Sequence, residues 1–250
     1  MKAQRIWAAL LFGVTAVGVA LYNLPASWVA ARLAQASDGR VILANSEGTL
    51  WSGSADLAVS NGAGTASRLP GRLHWQLRPR LGGLGFRVDS AEPGANGRIS
   101  GQVGWRYWRL EGGQYELPAQ LLSGLGAPFN TLRLGGRLKL RWGGFDWRYG
   151  APGPETLLPV DLEAEGLSSR LSPVSPLGHY RLHLAWGPLG GKLDLETVSG
   201  PLMLSGQGAL VNGRLGFDGE AGTSDAAQPQ LAGLLGILGK RDGAVTRLHF

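Results

Sequence analysis

Two histidines four positions apart, His179 and His183, and three alternating carboxylates, Asp161, Glu163 and Glu165, are the groups whose types and spacing could do chemistry. Imidazoles and carboxylates are the common protein ligands of divalent metals. Both sets lie in segments that read as strands. There the histidines share a face but stand about 13 Å apart, too far to hold one ion between them. Alternation with Leu162 and Ala164 makes the carboxylates a solvated strand face. A basic stripe, Arg133, Arg137, Lys139 and Arg141, has the spacing to meet lipid phosphate or an acidic partner, and equally to form a wet face that guards against aggregation. The chain has no cysteine, which removes disulfides, thiol catalysis and thiolate metal sites together. Nucleophile elbows, P-loops, dinucleotide fingerprints and zinc helices are all missing. The sequence thus offers no catalytic, cofactor-binding or metal-binding residues. A net charge of +6 arises from scattered arginines with no long basic run, so no nucleic-acid partner is expected.

The elements that would carry these groups are mostly strands. In 71–79 Leu73, Trp75 and Leu77 oppose Arg72, His74, Gln76 and Arg78. In 133–142 Leu134, Leu138, Leu140 and Trp142 oppose the basic stripe, and in 179–186 Tyr180, Leu182, Leu184 and Trp186 oppose His179, Arg181 and His183. A period of two with one apolar face marks half-buried antiparallel strands. Residues 49–59, 84–90, 98–110, 159–165, 192–196, 202–206, 208–218 and 244–250 are further strands. The apolar residues named in the first three segments, other than Leu134, are candidates for a core or groove. Forty-one glycines suit a fold of many turns and bulges. Helices are expected at 25–37, 118–126 and 229–239. The last places Leu231, Leu234, Leu235 and Leu238 on one stripe that would cover an opening of a curled sheet. A loop-like stretch at 150–159 is a possible boundary between two sheet segments.

Residues 6–24 carry no charge and follow Lys2 and Arg5. About 20 apolar residues suffice to span a bilayer. The stretch exceeds the usual apolar core of a signal peptide and lacks a close A-x-A exit, which favours a retained anchor over a cleaved leader. Cations before the span place residues 1–5 in the cytoplasm and 38–250 outside it.

The segment SEGTLWSGSA reads as a strand start, with Leu50, Ser52 and Ser54 on one face and Thr49, Trp51, Gly53 and Ala55 on the other. Gly48 and Gly53 would let a neighbouring backbone approach beneath the Trp51 ring, making Trp51 a packing anchor.

An apolar start, an LPASW helix, GTLWSG (Gly48, Thr49, Leu50, Trp51, Ser52, Gly53) and then the W-x-L-x-P of Trp75, Leu77 and Pro79 together resemble the type II secretion system protein N family. The C-terminal strands LGHYRLHLAW and GGKLDLETVSGPLMLSGQGAL also look like that family. Residues 80–160 depart most from it, with the phrases GWRYWRLEGG and GGFDWRYG. The resemblance implies a non-enzymatic accessory component of the general secretion machinery of Gram-negative bacteria. It implies an inner-membrane protein with a periplasmic β domain, similar to the curved, groove-bearing sheets of AsmA-like proteins. Implied partners are the inner membrane, the secretin and the inner-membrane platform proteins. Two other readings are a periplasmic lipid-binding groove and, from the terminal TRLHF, an outer-membrane β-barrel.

Overall fold

The computed structural model describes residues 12–249 apart from 14, 17, 61–65, 93–94, 126–128, 149, 151–157, 188–189, 212–213, 225–227 and 243–244. The expected span at 6–24 lies partly outside these residues. Of its described part, residues 12, 13, 15, 16 and 18–22 are helical. Among the described residues no helix is long and apolar enough to cross a membrane.

Helix α1 (Ala26–Ala36) starts after Pro25, whose fixed φ suits a helix entrance. Then come β1 (Val41–Gly48), β2 (Ser52–Ser60), β3 (Ala66–Arg80), β4 (Gly83–Glu92), β5 (Ala95–Gly104), β6 (Tyr107–Leu110) and β7 (Gly113–Pro118). A 3₁₀ turn (Ala119–Leu125) and a short helix α2 (Phe129–Leu132) precede β8 (Leu134–Trp142) and β9 (Phe145–Arg148). The chain continues through β10 (Leu158–Ser169), β11 (Gly178–Gly187), β12 (Gly190–Ser199), β13 (Leu202–Val211) and β14 (Arg214–Thr223). Helix α3 (Gln228–Leu238), β15 (Lys240–Asp242) and β16 (Val245–His249) complete it.

All the pairings are antiparallel and form one sheet in the order β1-β2-β3-β4-β5-β7-β8-β10-β11-β12-β13-β14-β16-β15. The fold is mainly β, as expected, and β8 and β10 are paired on either side of the 150–159 stretch, much of which lies outside the described residues. The strand expected over 98–110 is two strands, because Trp105 and Arg106 turn the chain. β6 leaves the main order to pair with β9, Trp108 facing Trp147. The two phrases that depart from the family pattern therefore form one ribbon. Strand β1 lay unread in the sequence, because a break in register between Ala44 and Glu47 scrambles its alternation. The division expected at 207 is not there: β13 runs unbroken from Leu202 to Val211 and pairs with β14 from Arg214 to Thr223.

One face is apolar and the sheet curls around it. Leu121 of the 3₁₀ turn packs on Leu57 of β2, Leu73 of β3 and Leu117 of β7 at once. Three strands of the order, β4, β5 and β7, lie between β3 and β8, which the same turn also touches. Only a curved sheet lets one short turn reach both walls. The 3₁₀ turn, α2 and α3 close one end of the curl. Leu231 and Leu234 of α3 are buried there against Leu132, Leu134, Leu138, Leu177 and Leu202. At the other wall Ala26 of α1 is buried against Ala55 and Trp75.

Large rings on this face lie over glycines of the next strand. Gly53 is opposite Trp75, Gly101 opposite Phe86, Gly97 opposite Tyr115 and Gly113 opposite Trp142. A Cβ at Gly113 would come within 2.8 Å of the Trp142 ring, and one at Gly97 within 2.5 Å of the Tyr115 ring. On a curled inner face side chains crowd, and small residues opposite large ones relieve it.

The outer face is charged, and the sheet order begins at β1 and ends at β15 without their pairing.

At Gly53 a Cβ would meet both the buried Trp75 ring and the Glu47 carbonyl oxygen at 2.8 Å. Gly53→Ala is expected to cost about 1–3 kcal/mol through overpacking. Gly222→Ala, with nothing within 4 Å of the new methyl, should change stability by no more than about 0.5 kcal/mol. Thermal melts check this. Equal melting of the two variants would refute the ring-on-glycine account.

Candidate functional site

The phrase GTLWSG is the junction between the N-terminal segment and the sheet. Gly48 ends β1 with φ +89, a left-handed conformation open to glycine, and Thr49–Trp51 form the turn. The Leu50 N–H donates to the Leu24 carbonyl at 2.7 Å, and the Trp51 indole donates to the Leu21 carbonyl at 3.0 Å. The Leu77 N–H donates to the Trp51 carbonyl at 2.7 Å, and the Trp75 indole to the Leu50 carbonyl at 3.1 Å. Trp51 is therefore not on a strand face. It is half-buried in a turn and fastens the preceding chain, and the ring above Gly53 belongs to Trp75. The alternation argument failed here because the hairpin turns at Thr49, where the sequence suggested a continuous strand.

The remaining candidates other than Trp186 fall on the apolar face but do different work. Trp75 is buried beside half-buried Leu77, and Leu73 joins Leu121. Leu138 and Tyr180 are buried toward the helix-closed end. The Tyr180 hydroxyl donates to the Leu202 carbonyl at 2.9 Å, and burial pushes its pKa up. Trp142 is buried, and its indole donates to the Glu111 carbonyl at 2.8 Å. Trp186 pairs in β11 with Leu158 and Gly191; its side chain lies outside what is described.

Leu140, Leu162, Leu182 and Leu195 stand in register across four strands. Val160, Leu184 and Leu193 form the next row beside Trp142. These seven aliphatic side chains are only half-buried. They form an apolar strip on the inner face; Leu162 borders the cluster that Leu231 and Leu234 fill, and Leu193 and Leu195 border that of Phe217, Ala221 and Leu248. Val160, Leu162, Leu193 and Leu195 were not among the sequence candidates, although the alternation of β10 and β12 marks them.

The outer face explains the charged stripes. Strand β10 lies between β8 and β11, so its carboxylates sit between two basic rows. Glu165 meets Lys139 at 2.8 Å and Arg137 at 3.5 Å, and Glu163 meets Arg141 at 3.0 Å and Arg181 at 3.6 Å. Arg181 reaches Glu196 at 3.0 Å, and His183 contacts Asp161. His179 lies opposite Ser199, away from that pair. Among the described residues no group of three or more His, Asp or Glu could hold a metal. Arg133 departs from the stripe. It precedes β8 with φ +47 and lines, with Arg170 and Ser168, a polar depression of about 560 Å³.

The family described as type II secretion system (T2SS), protein N, matches residues 39–248. The chain belongs to this family. No curated protein and no solved structure matches it. Membership of the protein N family ties the chain to type II secretion and covers the whole β domain from just before β1. The GTLWSG turn and both walls of the curl lie within the match.

The Lys139 ammonium, by hydrogen bond and charge, with Arg137, holds the Glu165 carboxyl below the ordinary glutamate value of 4.5. A depressed folded pKa contributes stability above the ordinary value and loses it as pH falls through the folded one. The stability difference between the native chain and Glu165→Gln is therefore expected at neutral pH and should vanish well below pH 4.5. Denaturant titrations across pH measure it. A difference constant with pH would remove Glu165 from the ladder's energetics.

Proposed function

We propose that this chain is a non-enzymatic accessory component of type II secretion. Residues 6–24 hold it in the bacterial inner membrane, with the N-terminus cytoplasmic and the β domain in the periplasm. There it supports export of folded proteins across the outer membrane, in contact with the secretin or the inner-membrane platform. The family match over residues 39–248 carries this reading. The uncharged stretch after Lys2 and Arg5 supports the orientation. The hydrogen bonds from Leu50 and Trp51 to Leu24 and Leu21 support a short, fixed coupling between anchor and sheet, since no long linker intervenes.

Affinity capture of the tagged full chain from cells of its own secreting bacterium is expected to recover secretin or platform proteins. Deletion of the chain should lower the amount of folded substrate outside the cell. Unchanged secretion together with no co-recovered component would overturn the role.

The half-buried strip Leu140, Leu162, Leu182 and Leu195 favours a second reading, a groove for lipid acyl chains. Apolar surface of this kind, left partly open inside a curl, gains free energy when a chain fills it. Solvent extraction of the purified protein followed by mass spectrometry should find bound acyl lipid. An extract without it sinks this reading and leaves the secretion role standing.

A further inference from the structure

The end of the curl opposite the helices carries the most exposed large apolar side chains among the described residues of the β domain. Leu81, between β3 and β4, is 102% exposed, and Trp105, between β5 and β6, is 97% exposed. The two turns are neighbours, because β4 and β5 pair with Gly83 opposite Gly104. Single exposed apolar residues are ordinary on soluble proteins. Here two project from adjacent tight turns among cations. Arg80, Arg106 and Arg148 are exposed beside them and make no ion pair among the described residues. Arg109, in contrast, is neutralised by Asp146 at 2.5 Å. Arg106 and Arg148 line, with Tyr107, Arg109 and Asp146, a depression of about 340 Å³. The ribbon holding it is firm, since Trp108 packs on Phe145 with ring centres 4.7 Å apart. The GTLWSG turn, which receives the N-terminal segment, lies at the same end of the strands: β2 leaves that turn beside Gln76 and Leu77, just before β3 reaches Leu81.

A tryptophan ring favours the headgroup level of a bilayer, a leucine the acyl boundary, and free guanidinium groups bind phosphate. We propose that this rim docks on the surface of an anionic bilayer. Leu81 and Trp105 enter the boundary between headgroups and acyl chains, and Arg80, Arg106 and Arg148 meet lipid phosphates. The β domain would then be held at two places, by its anchor and by its rim, which fixes its tilt on the membrane. The docking rests on the membrane placement proposed above and not on the secretion role.

The absence of cysteine permits a direct test. The full chain carrying Leu81→Cys or, as control, Ser205→Cys on the outer face is labelled with an environment-sensitive fluorophore. It is then reconstituted into vesicles of phosphatidylglycerol and phosphatidylethanolamine. Spin-labelled lipid is expected to quench the label at 81 and not at 205, while iodide quenches the reverse. Replacing Arg80, Arg106 and Arg148 by Gln, with an unchanged melting profile, should lower the ratio of lipid-protected to open label about fivefold per arginine removed. Flotation reports placement separately: a chain that does not float with the vesicles overturns both placement and docking. A chain that floats while the label at 81 stays as open to iodide as that at 205 overturns docking alone. So does protection at 81 that arises only when another secretion protein is added, which would make the rim a protein interface.

Discussion

Large aromatic rings lying over glycines of the neighbouring strand set what the rest of this sheet can do. A ring the size of Trp75 or Trp142 has no room on the inner side of a tight curl if the residue opposite carries a Cβ. The register places Gly53 and Gly113 opposite those rings. Each ring then occupies the space that a Cβ on the adjacent strand would take. The indole N–H reaches a turn carbonyl, Leu50 for Trp75 and Glu111 for Trp142. One pair thus sets curvature, register and turn position together. A slip of one residue would put Ser52 or Ser54 opposite Trp75 in place of Gly53, and Gly112 or Gln114 opposite Trp142 in place of Gly113. The 41 glycines of the chain are in this light a packing device as well as turn punctuation.

The two faces follow from the same register. With the rings and leucines inward, the alternating residues form cross-strand charge ladders outward. Lys139, Glu163, Arg181 and Glu196 stand in one row across β8, β10, β11 and β12. Exposed pairs of this kind are each worth little, about 0–1 kcal/mol. Their larger effect is on which strands lie side by side, because an acidic row on β10 suits the basic row of β8. A register shift of two residues keeps the apolar face inward and still sets acid beside base, so the register is held by the rings over glycines and not by the charges.

How much of this was legible depended on how strictly each segment alternates. Strands β8, β10 and β11 could be read because leucines and charges alternate without a break. The stripe of α3 could be read because Leu231, Leu234, Leu235 and Leu238 repeat with the helical period. β1 was hidden by its bulge. β7, β9 and β15 were hidden by their shortness, with six, four and three residues. The pairing of β6 with β9 joins segments 37 residues apart at Arg109 and Asp146, and no local pattern reports a contact of that range. GTLWSG was recognisable as a phrase while its geometry was misjudged. Alternation assigned Trp51 to a strand, and the left-handed Gly48 folds it into a turn. The candidate leucines were found because they alternate. Their division into a filled end and a half-open strip depends on where the three helical pieces dock, which is a property of the whole curl.

An open sheet of this length must also answer for its edges, since unpaired strand edges invite other chains. The β1 edge is covered by α1, which packs along it from the Pro25–Thr49 bridge onward. The β15 edge is short and reads Lys240, Arg241 and Asp242, charges on three residues. Neither edge needs the other for protection, so the curl has no requirement to close into a barrel. Widening or narrowing the gap between β1 and β15 breaks no ladder hydrogen bond. It is opposed by the contacts of the 3₁₀ turn with β2 and β3 at one end, and by the seat of α1 on Ala55 and Trp75 at the wall. Those contacts converge on β2 and β3, the two strands that follow the GTLWSG turn. The turn that fastens the N-terminal segment and the strands that set the width of the groove are therefore one mechanical unit. A pull on the segment reaches the groove wall from Leu21 through Trp51 and Leu77, from Leu24 through Leu50 and Trp75, and through the seat of Ala26 on Ala55 and Trp75.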